Sequence, residues 1–506
     1  HERTAIDLAH LPADDLEVYA MLRKADTIGV FQIESRAQMA TLPRMNPKCF
    51  YDLVVEVAII RPGPIVGKMV HPYLDRRGVR AAIRYDHPSL EPILKRTLGV
   101  PLFQEQLLRM AMVVAGFSAG EAEELRRAMG FKRSVARMEK LECRLRDGMG
   151  RNGIRGDAAD RIVHSITSFA LYGFPESHAA SFALIAYASA YLKCHYPAAF
   201  FAAMLNCYPL GFYHPSTLVK DASRHGVEVR PIDVARSHWK CTLEEIQTIP
   251  KVKNALRLGL RYVNGLREET GSRSENERHQ RPFKSLADFA SRVAPNEREM
   301  DSLAWAGAFA TFGHSKREAL WQAAAVERDP SSLLAGAEPT SRRDDDIGEE
   351  DGESRQQRAH SSASYLPRMT PFEDTMADYA ATGVTVGPHL MAHLRARLQS
   401  RGIASAADLA HIDRGKWVKV AGVVIVRQRP GTAKGFLFIT MEDETGIANV
   451  IVTPDLFHEN RALLHRASML LVEGPLQKQE GVIHVKGRRF RELKLGGAIP
   501  PSHDFH

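Results

Sequence analysis

The sequence predicts a multidomain, mainly α-helical protein that ends in a small β-barrel. Three observations support this fold class: a length of 506 residues, helical spacing of apolar residues over the first half of the chain, and β-branched runs near its end. A single hydrophobic core stops growing well below this length, so roughly three or four domains are expected. With 44% hydrophobic and 25% charged residues, the composition is that of an ordinary globular protein.

Residues 1–245 are predicted to form one large helical domain. From about residue 14 onward, apolar side chains recur at helical intervals between short connections rich in Gly and Pro. The segments with this spacing are SLEPILKRTL, EQLLRMAMVVAG, AGEAEELRRAMG, AADRIVHSITSFA and AAFFAAMLN. The best strand candidates in this region are GVFQIE and GVPLFQ.

Residues 246–326 are predicted to form shorter helices around a polar insert. The segment LRLGLRYVNGLREE is interpreted as a helix, a turn at Gly265 and a second helix, which is a helix-hairpin-helix pattern. Such a turn can present backbone N–H groups to a phosphate, so Gly265 is a candidate DNA contact. Any helical hairpin with a glycine turn would look similar, and that alternative stays open.

Residues 327–364 are rich in charged and small polar side chains and nearly free of large apolar ones. Such a composition buries too little surface to order, so this segment is predicted to be a flexible, disordered linker. Its acidic run DDDIGEED is interpreted as solvated carboxylates rather than as a metal site. A helical connector is predicted over residues 365–412.

Residues 413–495 contain five β-branched runs, with the helical segment PDLFHENRALLHR before the fourth. This order is that of an OB-fold, and another small Greek-key barrel is the alternative. OB-folds commonly hold single strands by stacking and through basic grooves, and Phe436 and Phe438 would either stack on bases or fill the barrel. The candidate DNA-binding cations are Arg427, Arg429, Lys434, Lys486, Arg488 and Arg489.

The charge balance favours a polyanionic partner. The net charge of +8 and a pI near 9.2 are typical of proteins that bind nucleic acid, although a merely soluble basic protein is the alternative. No apolar run reaches about 18 residues, so neither a membrane span nor a membrane partner is expected. The five cysteines are scattered and form no CxxC pair, which predicts no zinc site and fits a reducing cytoplasm.

Cations cluster where the helix AGEAEELRRAMG ends. These residues are Arg126, Arg127, Lys132 and Arg133. A helix C-terminus favours cations, but four within eight residues exceed what capping needs. Because arginine grips phosphate oxygens bidentately, phosphate binding is the second interpretation. Arg61 precedes a Pro-Gly pair, and this stiffened loop would hold its side chain ready for a contact.

The segment YGFPESHAASFALIAYASAYLK places polar residues at a helix start and small residues behind them. Ser177 and His178 would lie where the helix offers N–H groups and partial positive charge to an anion. The Ala/Ser-rich run would permit close helix packing and hold that end rigid. A simple cap with a structural histidine is the alternative.

Taken together, FQIESR, RPGP, QEQ, ELRRAMG and YGFPESHAASFALIAYASAYLK resemble, in this order, the bacterial C-family DNA polymerases, relatives of the polymerase III alpha subunit. The resemblance covers nearly the whole chain. It implies that residues 1–245 are the fingers domain, 246–326 the helix-hairpin-helix region and 413–495 the OB domain. It also implies a site for an incoming dNTP, for which the nucleotide-binding candidates are Arg61, Arg126, Arg127, Lys132, Ser177 and His178.

Two features resemble the error-prone branch of this family, which is associated with damage-induced mutagenesis and translesion synthesis. Pro175-Glu176 stands where the replicative subunit usually has Asn-Lys, and YPLGFYHPSTLVKDASRHGVEVRPIDV follows the fingers. A clamp-binding motif of the Gln-x-x-Leu/Met-x-Phe type is missing where it is expected. The resemblance therefore implies an error-prone DNA-directed DNA polymerase that acts on primer–template DNA and reaches the sliding clamp through an accessory mutagenesis protein. The alternatives are a replicative alpha subunit and a non-catalytic DNA-binding protein.

Polymerisation by this family needs Mg²⁺ ions, held by an Asp-x-Asp pair and a further Asp of the palm domain. The sequence contains no such constellation on a credible strand. We therefore assign no catalytic residue and no metal ligand to this chain. The expectation is a carboxy-terminal portion of such a polymerase that is inactive alone.

Overall fold

The computed structural model describes two compact units. The described residues are 6–8, 10–60, 70–130, 135–169, 174–209, 213–246, 253–325, 366–479, 481–495 and 502–505. One unit comprises His1–Tyr196 with Gly431–Gly435 and Lys478–Ile483, and the other comprises the rest of the chain. Arg61, Lys132 and the predicted linker 327–364 lie outside the described residues. The predicted domain limits stay predictions.

The first unit is helical, as predicted. Its described helices are α1 (Leu16–Arg23), α2 (Arg36–Met45), α3 (Phe50–Ile59), α4 (Val70–Arg77), α5 (Glu91–Leu94), α6 (Gln104–Ala115), α7 (Ala119–Gly130), α8 (Val135–Arg151), α9 (Asp157–Phe169) and α10 (Glu176–His195). The two strand candidates were wrong. GVFQIE forms bends, and GVPLFQ contributes one isolated β-bridge, between Phe103 and Phe174.

Two hydrophobic clusters hold the first unit together. In the first cluster α10 packs along α3. The residues of α10 at this contact are small and fully buried: Ala179, Ala183, Ala186 and Ala190. Their spacing places them on one helix face, and small side chains let two helix axes approach closely. The second cluster joins α6, α7, α8 and α9 through residues such as Leu107, Leu125 and Leu145.

The second unit begins with helices around a small sheet. Its elements up to the barrel are α11 (Pro197–Asn206), α12 (Pro215–Arg224), β1 (Val229–Arg230), β2 (Thr242–Ile246), β3 (Lys253–Arg257), α13 (Glu268–Gln280), α14 (Leu286–Val293), α15 (Glu297–Trp305), α16 (Lys316–Ala325), α17 (Pro371–Thr382) and α18 (Arg395–Gln399). Strand β3 lies between β1, which is parallel to it, and β2, which is antiparallel. The predicted first helix of the hairpin was therefore wrong: LRLGL contains the end of β3, and only Leu260–Tyr262 form a 3-10 turn.

The rest of the second unit is the predicted barrel. Its elements are β4 (Trp417–Gln428), β5 (Leu437–Glu442), β6 (Ile447–Val452), α19 (Pro454–Glu459), α20 (Arg461–Arg466), β7 (Met469–Gln479), β8 (Val482–Lys486), β9 (Arg489–Glu492) and β10 (His503–Phe505). The long strand β4 pairs with both β5 and β7, which closes the sheet. The helical segment between β6 and β7 confirms the OB-fold order. Within the described parts of the chain, no helix combines the length and apolarity that a membrane crossing requires.

Leu437, Ile439 and Met441 fill the interior of this barrel. Phe436 and Phe438 alternate with them and are only partly buried, so neither phenylalanine is a fully buried core residue. This arrangement follows from the two-residue period of a strand, which sends successive side chains to opposite faces.

Candidate functional site

The end of α7 carries two of the predicted phosphate-binding cations. Nε and Nη2 of Arg126 donate to the two carboxylate oxygens of Glu123 at 2.9 and 2.6 Å, and Nε of Arg127 donates to Oε1 of Glu123 at 3.4 Å. The side chains of Arg126 and Arg127 are 47% and 72% exposed. The hydrogen bond from Arg126 holds the pKa of Glu123 at about 2. An anion that binds these arginines would therefore compete with this carboxylate.

The other predicted half of the site is the first turn of α10. Ser177 and His178 are both exposed there. Pro175, the residue before the first residue of α10, has extended backbone and makes no side-chain cap. The ring of His178 packs against Phe174 and Phe182, with centroid distances of 5.0 and 4.2 Å. The first turn therefore offers a hydroxyl, an imidazole and backbone N–H groups on one exposed surface.

The QEQ motif at the start of α6 supports this helix start. Glu105 Oε2 accepts a hydrogen bond from the Glu176 N–H at 2.9 Å, so a carboxylate caps α10 from a distant part of the sequence. Gln106 Oε1 accepts from the N–H groups of Leu102 and Phe103 and thereby caps α6 itself. Sequence reasoning noted the motif but assigned neither role. These residues position the helices rather than reach toward a ligand.

A second support residue that sequence reasoning missed is Tyr51. Its hydroxyl donates to Glu176 Oε1 at 2.9 Å, and the guanidinium of Arg96 lies 3.8 Å from the centre of its ring. Burial, followed by the hydrogen bond to Glu176, raises the pKa of Tyr51. The phenol therefore stays protonated and remains a donor to the first residue of α10.

The two halves belong to different hydrophobic clusters. Leu125, next to Arg126, packs in the second cluster, whereas Ala179, next to His178, packs in the first. Helix α6 joins them, because Phe103 before its first residue lies in the first cluster and Leu107 in the second. Among the described residues no contact is recorded between the arginine pair and the α10 start. The structure brings Arg126 together with Arg127, and Ser177 together with His178.

The far end of α10 is fixed by a buried cation. Nζ of Lys193, whose side chain has no exposed surface, donates to Asp26 Oδ1 at 2.9 Å and to the carbonyl of Ile28 at 3.1 Å. A buried ammonium is costly unless it is paired and hydrogen-bonded, and here it is both. This end of the helix is therefore held at one position.

The Mg²⁺ that the resemblance implies has no fitting ligand set in the described part of the first unit. The potential metal ligands that lie together there are Glu17, Cys194 and His195. Burial and nearby carboxylates raise the pKa of the Cys194 thiol to about 11, so it stays protonated. Mg²⁺ prefers oxygen ligands in octahedral geometry, which a thiol, an imidazole and one carboxylate do not offer. We therefore assign no metal-dependent chemical step to the described residues of the first unit.

The predicted turn at Gly265 exists and is exposed. Gly265 has φ +82°, a backbone conformation that favours glycine. The N–H of Asn264 donates to the carbonyl of Ala381 at 2.8 Å, which ties the turn to α17. Behind the turn, Glu299 accepts hydrogen bonds from the Arg267 N–H at 3.2 Å and from its Nε at 2.9 Å. The amides of Asn264 and Arg267 are thus already used, and Asn264 and Gly265 are the exposed residues of the turn.

Glu299 gives a testable stability prediction. Burial raises its pKa, but hydrogen bonds from Arg267, Asn296 and Thr270 outweigh burial and hold the pKa at about 2. The folded pKa lies below the ordinary value of about 4.3, so the carboxylate stabilises the fold fully above that pH. Its contribution is lost as the pH falls from about 4 toward 2.

Glu299→Gln is expected to lower the free energy of unfolding at pH 7 by about 1–2 kcal/mol, with some of the pair energy screened because Arg267 is partly exposed. Urea unfolding at pH 7 and pH 3 measures the effect, and the gap between variant and wild type should shrink at the lower pH. Glu297→Gln, at an exposed site in the same helical turn, is the control. Equal unfolding curves for the two variants at pH 7 would contradict the assigned role of Glu299.

Arg427 requires a correction. It was predicted to contact DNA, but it is 5% exposed, and its guanidinium donates to the carbonyl of Leu464 at 2.7 Å and also contacts Ala467, Ser502 and Asp504. A β-bulge between Val424 and Val426 shifts the register of β4 just before it. Such bulges redirect side chains. Arg427 therefore stabilises the barrel, and we withdraw it from the DNA-contacting set.

The other predicted cations of the barrel reach the surface to different degrees. Arg488 and Arg489 are exposed at the β8–β9 turn, and Lys486 precedes them with partial exposure. Nη1 of Arg489 lies 4.0 Å from Glu473 Oε2. Lys434 is exposed in the β4–β5 connection, and Arg429 is partly buried at the end of β4. The structure thus brings Lys486, Arg488 and Arg489 together as one basic turn.

Three segments of the chain match models of known families. Residues 1–153 match the bacterial DNA polymerase III alpha subunit finger domain, residues 226–319 match a helix-hairpin-helix motif, and residues 407–493 match an OB-fold nucleic acid binding domain.

Curated relatives match almost the whole chain. An error-prone DNA polymerase of Methylococcus capsulatus is 46% identical over 98% of this chain and 47% of its own length. One of Pseudomonas savastanoi pv. phaseolicola is 47% identical over 98% of this chain and 46% of its own length. Error-prone DNA polymerase 2 of Agrobacterium fabrum is 45% identical over 97% of this chain and 44% of its own length. The chain spans a little under half the length of these relatives.

Proposed function

Because the chain belongs to the bacterial error-prone DNA polymerases of the C family, we propose that it serves DNA-directed DNA synthesis during damage-induced mutagenesis and translesion synthesis. The reaction adds dNTPs to a primer 3′ end on primer–template DNA. The proposed part of this chain in the reaction is to bind the nucleotide and the DNA. The observation that carries the proposal is the identity of 45–47% over 97–98% of the chain to proteins named error-prone DNA polymerase. Those names favour this function over a replicative subunit or a non-catalytic DNA-binding protein.

The proposed triphosphate contacts are Arg126 and Arg127. Both guanidinium groups are exposed and held on one side by Glu123. A triphosphate carries more negative charge than one carboxylate, so exchange of Glu123 for phosphate oxygens is favourable. Ser177 and His178 at the start of α10, together with Arg61 and Lys132, complete the proposed set. Helix dipoles favour negative charge at such a helix start.

The proposed DNA contacts are the basic turn of the barrel and the glycine turn at Gly265. Lys486, Arg488 and Arg489 present positive charge to a phosphate backbone, and Lys434 and Arg429 are further proposed contacts. OB-folds bind single strands through such grooves, and phosphate contacts supply most of the affinity. The template strand ahead of the primer is the expected ligand of this domain.

Removal of the basic turn is expected to weaken single-strand binding. Arg488→Gln/Arg489→Gln should raise the Kd for a single-stranded oligonucleotide about 10-fold, and the slope of log K against log salt should become shallower by about 1.4. Fluorescence anisotropy between about 50 and 200 mM salt measures both quantities. The control Arg397→Gln/Arg401→Gln removes two exposed charges from the connector. Equal losses in both double variants would mean that net charge, and not this turn, sets the affinity.

Divalent ions and further partners complete the proposal. DNA polymerases use divalent metal ions to activate the primer hydroxyl and neutralise pyrophosphate; we propose Mg²⁺, held by a palm domain and by none of the described residues of this chain. We also propose that the polymerase reaches a sliding clamp through an accessory mutagenesis protein, because the clamp-binding motif is missing from the sequence where it is expected. All five cysteines are free in the structure, which supports a reducing cytoplasm as the site of action.

A further inference from the structure

A cavity of about 340 Å³ opens on the barrel where β4 ends and β5 begins, beside α19 and α20. It is lined by Arg427, Arg429, Leu437, Phe457, Arg461, Leu464 and His465. Only Arg427 and Arg429 of these belong to the residues predicted from the sequence to bind DNA. The cavity lies at a different position from the β8–β9 turn, and of its lining residues the proposed function uses only Arg429.

The cavity combines an apolar floor with a basic rim. Leu437 and Leu464 are 4% and 0% exposed and form its apolar part. The guanidinium of Arg429 lies 4.5 Å from the ring centre of Phe457, and the ring of His465 meets the same phenylalanine at 5.5 Å. Phe457 is 2% exposed, so its ring offers a fixed surface to the guanidinium of Arg429 and the imidazole of His465.

The positive charge at the rim is not balanced by the residues that line the cavity, none of which is acidic. Arg461 is exposed at the first residue of α20, and no ion pair to it is recorded within the described ranges. Deeper arginines of the second unit do have acidic partners: Arg427 lies 3.4 Å from Asp504, and Arg395 lies 3.0 Å from Asp443. A concave surface whose exposed rim is basic in this way is suited to an anion.

The ligand must offer an apolar body together with an anionic group. A phosphate alone would leave the leucine floor empty, and a DNA duplex keeps its bases stacked and paired. An unpaired nucleotide has both parts, because its base is free to enter a pocket while its phosphate stays at the rim. A volume of about 340 Å³ lies at the lower end of the range for small-molecule pockets.

We propose that this cavity holds one unpaired nucleotide of single-stranded DNA. The base lies against Leu437 and the guanidinium of Arg429, and the phosphate contacts Arg461 and His465. The inference rests on the proposed function for its ligand class, but it assigns a base-holding pocket and two further phosphate contacts on the helical side of the barrel.

Two variants of one helix test the phosphate contact. Arg461→Gln and Arg466→Gln remove the same charge from exposed positions of α20, and only Arg461 lines the cavity. Fluorescence anisotropy with an oligo(dT) of about 12 nucleotides on the full chain should show a roughly 5- to 10-fold higher Kd for Arg461→Gln and a salt slope shallower by about 0.7. Arg466→Gln should stay within about 2-fold of wild type. Thermal unfolding checks that both variants are folded.

A ligand without bases tests the pocket itself. An abasic strand of equal length has the same phosphates as oligo(dT), so only base contacts distinguish the two. Arg429→Lys keeps the charge but loses the flat guanidinium, and the preference for oligo(dT) over the abasic strand should fall by about 3-fold or more. An unchanged preference would overturn the base-holding role.

The outcomes separate this inference from the proposed function. If wild type binds oligo(dT) and Arg461→Gln behaves as Arg466→Gln does, the cavity is not a nucleotide site although the DNA-binding function stands. If wild type binds no single-stranded DNA, both fail. If Arg461→Gln spares DNA binding but abolishes binding of an oligo-glutamate peptide, the cavity belongs to an acidic polypeptide and the inference is overturned.

Discussion

Replacing Arg126 and Arg127 together by alanine is expected to weaken dNTP binding by about 100-fold or more. Each arginine would lose charge-assisted hydrogen bonds to phosphate, and such bonds contribute about 1.5–3 kcal/mol each. Calorimetry or a fluorescent dNTP analogue on the full chain measures the change. The double variant Arg151→Ala/Arg161→Ala removes two exposed arginines from the same unit and should leave the affinity nearly unchanged.

Glu123→Gln supplies the opposite test of the same pair. The carboxylate competes with phosphate for both guanidinium groups, and its pKa of about 2 keeps it ionised at neutral pH. Its neutral isostere should therefore raise dNTP affinity by roughly 3- to 10-fold, because it removes a competing charge from both arginines. Unchanged affinity in Arg126→Ala/Arg127→Ala would favour simple helix capping and a non-catalytic DNA-binding module.

Gly148→Ala is expected to cause a large loss of stability in the first unit. Gly148 lies in α8 against the end of α6, and an added Cβ would clash with the carbonyl oxygen of Ala115. A backbone group cannot move aside as a flexible side chain can, so a cost of about 3 kcal/mol or more is expected. Urea unfolding of the full chain measures it.

Gly150→Ala is the matched control, since it lies two residues further along the same helix and an added methyl group would have no neighbour within 4 Å. Alanine is a better helix former than glycine, so this variant should gain about 0.5–1 kcal/mol. Opposite signs for the two substitutions would establish the close approach of α8 and α6. Equal effects would contradict it.

The parts of the fold that sequence reasoning predicted are those set by local periodicity. The segment AADRIVHSITSFA carries an apolar face at helical spacing and forms α9, and the β-branched runs after residue 415 form the barrel strands. The small sheet was missed because β1 has two residues and β3 overlaps a stretch with helical spacing. Pairing on both sides of β3 overrode the local pattern, and such long-range pairing leaves no local signal.

The same distinction applies to the candidate site, where local spacing predicts some features and contacts with distant parts of the sequence determine the others. The exposure of Arg126, Arg127, Ser177 and His178 follows from their positions at helix ends. The approach of Glu123 to both arginines agrees with its spacing of three and four residues, which places them on one helix face. The cap from Glu105 to α10 crosses 71 residues of sequence and has no local signature. The burial of Arg427 depends on a bulge and on a strand that comes much later in the chain.

The anchoring of α10 indicates a second place where substitutions should alter nucleotide binding at the proposed site. A helix of 20 residues is about 30 Å long, and this one carries Ser177 near its first residue and Lys193 near its last. Its alanine face is fully buried in the cluster that contains α3, and close packing of this kind favours movement of the helix as one body. A change at Lys193 would then shift the first-turn amides at the opposite end. Nucleotide binding at the proposed site would then depend partly on a side chain that makes no proposed contact with the nucleotide.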